Sequence, residues 1–281
     1  MIIDFHTHVF SSFFRDDRSD FFFQEPSFEM LYRSPEAKLV DAVELLRNMD
    51  AENVKKSVIF GFPWETEDHF RRHNDYVIET VQKHPDRFIG FCCFSPLSAK
   101  GPDETERCLQ SGLSGIGELA IYGSGLSNQV IEILSETMAL CVEFDVPILL
   151  HTNEPVGHNY AGKTPMTLKE IYHFLKSYPE NRIVLAHWGG GILFYAFMKK
   201  EVKETLQNTW FDTAASPYLF TPDIYRIAGE AVGFNKILFG SDYPLLNPKR
   251  YFEEITSAGL PPGSIEKIKG LNAAELLGLA D

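Results

Sequence analysis

Cysteine is scarce in this chain. Four are present in 281 residues (Cys92, Cys93, Cys108 and Cys141), without C-x-x-C spacing. A disulfide-stapled fold is therefore excluded, and a reduced, cytoplasmic setting is expected. Positive charge is also short. Lys plus Arg is 26 against 39 Asp plus Glu, a formal net charge of −13. No basic stripe is present, which argues against a nucleic-acid binder, since phosphate contacts need clustered Lys and Arg. No apolar run approaches the ~18 residues of a membrane span; Phe88–Phe94 and Val146–Leu150 are strand-sized. The opening Met-Ile-Ile-Asp-Phe-His lacks the charged and apolar regions of a signal peptide.

An apolar share of 44% and a charged share of 23% suit a globular chain that can bury a large core unaided. Short β-branched and aromatic runs alternate with amphipathic stretches. The pattern predicts strands at Ile2–His8, Ser57–Phe62, Arg87–Phe94, Gly115–Tyr122, Val146–His151, Arg182–His187, Thr209–Thr213 and Lys236–Asp242. Between and after them it predicts helices at Lys38–Asp50, Asp68–His84, Asp103–Ser111, Asn128–Phe144, Leu168–Tyr178, Ile192–Leu206, Pro222–Val232 and Ser264–Leu277. Continuously apolar strands alternating with helices over close to the ~250 residues typical of that fold predict a (β/α)8 TIM barrel spanning 1–281 as one domain. A doubly wound open sheet is the rival.

One long irregular segment, Val9–Glu36, follows the first strand and carries seven Phe, among them Phe10, Phe14 and Phe28. It reads as an aromatic loop, either a lid or substrate wall, or packing against the barrel rim or the interface of a homodimer.

Ionisable residues stand at the strand ends. In Asp4-Phe5-His6-Thr7-His8, His6 and His8 are two apart on a strand and project to one side. Other apolar runs lead into Glu118, His151, His187 and Asp242. In a barrel these ends converge on one mouth. Burying six such groups without a partner is costly, and imidazole with carboxylate is a ligand set for zinc and similar divalent ions.

The order of Ile3-Asp4-Phe5-His6-Thr7-His8, Pro147-Ile148-Leu149-Leu150-His151-Thr152, Leu185-Ala186-His187-Trp188-Gly189-Gly190, Gly240-Ser241-Asp242-Tyr243-Pro244 and Asn272-Ala273-Ala274-Glu275-Leu276-Leu277-Gly278 resembles the amidohydrolase superfamily. Within it, the resemblance is to the amidohydrolase-related branch that holds aminocarboxymuconate semialdehyde decarboxylase, resorcylate decarboxylases and pyrone dicarboxylate lactonases. It covers essentially the whole chain. It implies that His6, His8, His151 and Asp242 bind one divalent metal, with zinc the expected ion. His187 is implied as the acid/base or substrate-polarising histidine. Glu118 stands where related barrels place a carboxylate that bridges two metals, so a second ion with His151 and His187 stays open.

The expected activity is a metal-dependent hydrolase in which metal-activated water attacks a small amide, ester or lactone. Asp242 would move the water proton and His187 would steady the oxyanion. The alternative, with the same ligands, is a metal-dependent non-oxidative decarboxylase of a small unsaturated or aromatic carboxylate. A catalytically idle scaffold would have lost ligands. The resemblance implies that decarboxylases of this branch are longer, so the length leans to the hydrolase. Trp64, Arg71, Asn153, His158 and Trp188 are the candidate substrate contacts: Arg71 or Arg72 as a carboxylate clamp, with a solvated helix face as the alternative, and Trp188 as a pocket wall, with packing at the rim as the alternative. His69, His84 and His173 are expected at the surface. Cys92 and Cys93 point to opposite strand faces and are expected in the core.

Overall fold

The computed structural model describes residues 1–279; positions 280 and 281 of the expected domain lie outside the described residues. All eight expected strands are present: β1 Ile3–His8, β2 Lys56–Phe60, β3 Phe88–Gly90, β4 Ile116–Leu119, β5 Ile148–Leu150, β6 Ile183–Leu185, β7 Thr209–Asp212 and β8 Ile237–Leu238. Each is followed by at least one helix before the next strand begins or the description ends. All strand pairs are parallel, in a three-stranded sheet β1-β2-β3 and a five-stranded sheet β4 to β8 in sequence order.

Backbone hydrogen bonds join the two sheets at both seams. Between β3 and β4, Cys92 N–H donates to Gly115 O at 2.9 Å and Gly117 N–H to Cys92 O at 2.7 Å. Between β8 and β1, Phe5 N–H donates to Phe239 O at 2.8 Å and Asp242 N–H to His6 O at 2.9 Å. Buried Asp4 fastens that second seam, accepting from Ser241 N–H at 2.9 Å and Ser241 Oγ–H at 2.5 Å. The strands carry apolar residues on both faces because both faces are covered. Ile148, Leu150, Ile183 and Leu185 pack into the large cluster shared with the helices. Leu149, Val184, Phe5 and Val58 form a second cluster with Ala273, Ala274 and Leu276 of the last helix.

Most strands are shorter than their apolar runs. β6 ends two residues before the left-handed His187 (φ 55°), whereas β8 ends four residues before Asp242 (φ 60°), at which the chain still bonds β1 through Asp242 N–H to His6 O. The expected helix Ile192–Leu206 is corrected for a related reason. Trp188, Gly189, Gly190 and Gly191 are all left-handed, so tight 3₁₀ turns occupy His187–Phe197 and regular helix covers only Lys200–Thr205. The periodicity reading has no helix between Asp242 and Ser264, whereas the chain forms one at Pro248–Ser257. Asn247 caps it by accepting from Lys249 N–H, and Pro248 sits in its first turn.

The segment Val9–Glu36 is not an irregular loop. It folds as a helix Ser12–Arg15, a 3₁₀ turn Arg18–Phe21 and a helix Pro26–Tyr32. Phe10, Phe14, Phe21 and Phe28 are buried. The Phe14 ring stacks on Trp64 at 4.6 Å and on His73 at 4.9 Å. The segment thus covers most of its aromatic surface against the chain that follows β2. Buried Glu25 anchors it. Its carboxylate accepts from Glu65 N–H at 2.9 Å, Thr66 N–H at 3.0 Å and His69 Nδ1 at 2.8 Å. It therefore satisfies donors at the start of the helix Glu67–Lys83, where negative charge is favoured. His69, expected at the surface, is buried by this pairing. Glu25→Ala should cost about 3 kcal/mol by orphaning three buried donors. Urea unfolding measures it, and an unchanged midpoint would refute the anchoring role.

His73 is buried and gives a pH signature. Its Nδ1 accepts from Trp64 Nε1–H at 2.8 Å, and its Nε2–H donates to Val9 O. Protonating Nδ1 would set two donors against each other, and burial already pushes the group down to about 4 from 6.5. The unfolded chain takes up a proton that the folded chain refuses, so stability is full above pH 6.5 and falls as pH drops toward 4. The loss is about 3 kcal/mol in all. Wild type should lose that much more than His73→Gln in metal-free denaturation between pH 7 and 4. Parallel curves would contradict it.

Candidate active site

Four histidines come together beyond the carboxyl ends of the strands, and each is tethered through one ring nitrogen. His6 Nδ1 meets Asp212 Oδ2 at 2.8 Å. His8 Nδ1 donates to Gly61 O at 3.3 Å, His187 Nδ1 to Ala214 O at 2.9 Å and His151 Nε2 to Gly162 O at 3.1 Å. A carbonyl or carboxylate oxygen accepts, so the tethered nitrogen carries the hydrogen and the other is left as a lone-pair donor. Those second nitrogens face Glu118 and Asp242. His6 Nε2 lies 3.5 Å from Glu118 Oε2 and 3.6 Å from Asp242 Oδ1. His8 Nε2 lies 3.7 and 3.4 Å from the same atoms. The other Glu118 oxygen, Oε1, is 2.9 Å from His151 Nδ1 and 3.4 Å from His187 Nε2.

Local sequence explains this convergence. His6 and His8 alternate with Thr7, whose hydroxyl turns away to donate to Val58 O at 2.6 Å. Phe60 packs against both imidazole rings, at 5.2 and 4.7 Å. Gly240 lets β8 approach β1, since a Cβ there would sit 2.8 Å from His6 Cβ. His187 and Asp242 adopt the left-handed conformation that non-glycine residues rarely take, at a cost of roughly 1–3 kcal/mol each. The surrounding contacts hold that strain at the two positions that aim side chains into the cluster.

The electrostatics favour a cation. Burial alone would raise the Glu118 carboxyl, but His6 and His151 hold it well below the ordinary range. Asp242 behaves alike: burial opposes its charge, yet His6, His8 and His187 hold it down to about 2. Burial pushes His6 down, while Glu118, Asp212 and Asp242 pull it well above its ordinary value. For His187 the same contest, led by the Glu118 hydrogen bond against burial, ends at about 9. Three buried carboxylates thus draw protons onto histidines, charge that a metal would replace.

The donor set fits a divalent ion. His6 Nε2 is buried with no hydrogen-bond partner among the described residues. Ligand bonds of 2.0–2.2 Å place tetrahedral donors about 3.3–3.6 Å apart, close to the four separations around His6 and His8. The triads His6, His8, Glu118; His6, His187, Asp242; and Glu118, His151, His187 each lie within ligating reach. His151, expected beside His6 and His8, instead turns its second nitrogen, Nδ1, to a hydrogen bond with the far oxygen of Glu118 at 2.9 Å.

The expected substrate contacts are placed differently. Arg71 is exposed on its helix and pairs with Glu67 four residues earlier at 3.7 Å, so it is not presented as a clamp. Trp64 is fully buried and its N–H is taken by His73. Trp188 is fully buried and donates to Ser216 Oγ at 2.9 Å. The Asn153 amide is consumed internally, accepting from Thr164 N–H and Oγ–H, each at 2.7 Å. His158 is exposed. Sequence reasoning missed Asp212. It ends β7 after Thr209-Trp210-Phe211, the same apolar-run-then-ionisable pattern that marks β5, β6 and β8. Its Oδ1 accepts from His187 N–H at 2.9 Å and Ala214 N–H at 3.0 Å, so one carboxylate fixes two site histidines.

Comparison with known proteins overturns the expected hydrolase. A gamma-resorcylate decarboxylase of Polaromonas is 26% identical over 255 residues, covering 74% of this chain and 76% of its own. A solved 5-carboxyvanillate decarboxylase of Sphingomonas paucimobilis matches 99% of both chains at 18% identity, with a TM-score of 0.79. A dihydroxybenzoic acid decarboxylase of Polaromonas, solved with manganese and 2-nitroresorcinol, covers 99% of this chain and 97% of its own at 20% identity, with a TM-score of 0.73. The error has a physical cause: His and carboxylate ligands specify a Lewis-acid site, and the same site serves either reaction. Nor does zinc follow, since a His and carboxylate set suits several divalent ions and the dihydroxybenzoic acid decarboxylase was solved with manganese. A family model described as amidohydrolase matches residues 3–279, and on that match, with the strand-end residues in the order found here, the chain belongs to the amidohydrolase family.

Proposed function

We propose that this protein is a metal-dependent, non-oxidative decarboxylase of an aromatic carboxylate. One observation carries it: four histidines, each tethered outward, turn free nitrogens onto Glu118 and Asp242 in a chain whose relatives named above are decarboxylases. The fold reading that goes with it is a closed (β/α)8 barrel acting as one domain, supported by the hydrogen bonds at both sheet seams.

His6, His8, Asp242 and Glu118 would hold a divalent ion, with manganese the first to test. His151 and His187 flank the second oxygen of Glu118. Bound there, such an ion supplies positive charge that draws in substrate oxygens and steadies negative charge on the ring. In the reaction the bond between ring and carboxylate breaks, carbon dioxide leaves, and the electron pair left on the ring carbon takes a proton. His187 Nε2 lies 3.4 Å from Glu118 Oε1, which places its imidazole at the edge of the cluster to give or take a proton. Asp242, whose carboxylate faces His6 and His8, can take a proton from a substrate oxygen and deliver it to the ring carbon. A small molecule is the expected partner, and among the described residues no helix is long and apolar enough to cross a membrane.

The direct assay incubates manganese-loaded protein with 2,6-dihydroxybenzoate and 5-carboxyvanillate and measures headspace carbon dioxide with phenol product. Equimolar carbon dioxide and phenol, abolished by chelation, are expected. Acid release from amides or lactones without carbon dioxide would overturn the proposal.

A further inference from the structure

Beside the histidine cluster stand two phenols from separate parts of the chain. Tyr32 ends the helix Pro26–Tyr32, and Tyr122 lies just past β4. Phe62, just past β2, joins them: its ring is parallel to that of Tyr122 (5°) at 6.1 Å and edge-on to that of Tyr32 at 6.0 Å. The Tyr122 ring is 5.6 Å from His151. Phe28 and Phe10 back Tyr32 at 4.8 and 5.5 Å, so the folded aromatic segment fixes that ring from behind.

We propose that Tyr32 and Tyr122, both packed against the buried Phe62 ring, form the specificity-determining cradle of the site, taking a planar aromatic ring whose oxygen substituents accept from the two phenol hydroxyls. This rests on the reading of the site as acting on an aromatic carboxylate, and it names the group that recognises such a substrate.

Three observations converge. Neither hydroxyl has a hydrogen-bond partner among the described residues, although burial and the nearby charges of Asp242 and Glu118 mark both as facing the cluster. A phenol is protonated at neutral pH and can donate. Tyr160, also near Asp242, is by contrast committed to Glu154 Oε2 at 2.9 Å. No Lys or Arg among the described residues pairs with Glu118 or Asp242, whose close partners are histidines. Neutral phenol donors therefore stand beside these carboxylates with no guanidinium or ammonium paired to them among the described residues. Two phenol donors fixed by packed aromatic rings suit a planar ring with oxygen at its rim.

The test is calorimetric binding to manganese-loaded protein, comparing 2,6-dihydroxybenzoate with benzoate, for wild type, Tyr32→Phe, Tyr122→Phe and the double variant. Each Phe variant keeps the ring and loses one donor. Each should weaken 2,6-dihydroxybenzoate about tenfold, the size of one hydrogen bond, and leave benzoate within about twofold. Metal content should stay at the wild-type level. Equal losses for both ligands, or none for either, would overturn the cradle, as would a wild type that does not prefer the hydroxylated ligand. The two proposals fail separately. Discrimination without carbon dioxide release overturns only the reaction, and carbon dioxide release with unchanged discrimination overturns only the cradle.

Discussion

Asp242→Asn is expected to lower kcat by about 10²–10⁴-fold, the range of a positioned acid or base, while leaving the fold intact. The carboxylate stands 3.6 Å from His6 Nε2 and 3.4 Å from His8 Nε2, so it faces both histidines of β1. Asparagine keeps the shape but carries no charge and cannot relay a proton. Its backbone role survives, because Asp242 N–H bonds His6 O through the main chain. Stopped assays at saturating metal separate the chemical defect from weaker metal binding. Full rate in the variant would remove Asp242 from the chemistry.

Asp212→Asn should weaken metal binding by about 10–100-fold, as loss of a carboxylate behind a ligating histidine does. The physical cause is tautomeric. Asp212 Oδ2 receives the His6 Nδ1 hydrogen, which keeps Nε2 free. An amide NH₂ at that place confronts the same hydrogen and drives the proton to Nε2, occupying the lone pair a metal needs. Oδ1 can still accept from His187 N–H and Ala214 N–H, so the turn after β6 is kept. Competition with a chromophoric chelator reads the affinity. Wild-type affinity would show that His6 needs no such orientation.

Much of the fold was legible because burial on both strand faces imposes an unambiguous apolar run. Strand ends were not, since an apolar run carries no sign of where regular pairing gives way to isolated bonds or of the left-handed residues His187 and Asp242 beyond it. The Phe-rich segment shows how composition can mislead. Its rings bury one another and Trp64, and a single carboxylate, Glu25, locks it to the next helix. The six strand-end groups converge because register places the ends of successive parallel strands side by side. Asp212 bore the same signature and was passed over. Substrate contacts were least legible. A residue's place after a strand does not say where its side chain points, and Arg71 spends its charge on Glu67 at the surface. Tyr32 and Tyr122 gave no local signal, because their shared setting appears only once the aromatic segment folds back past β2 and β4. Hydrolysis and decarboxylation could not be separated from ligands alone.

Anomalous diffraction at the manganese edge from crystals soaked in manganese is the most direct test. A peak within about 2.0–2.3 Å of His6 Nε2, also touching His8 and Asp242, is the predicted result. Full manganese occupancy elsewhere, with His6 Nε2 still unpartnered, would contradict the assignment of this cluster as the metal centre.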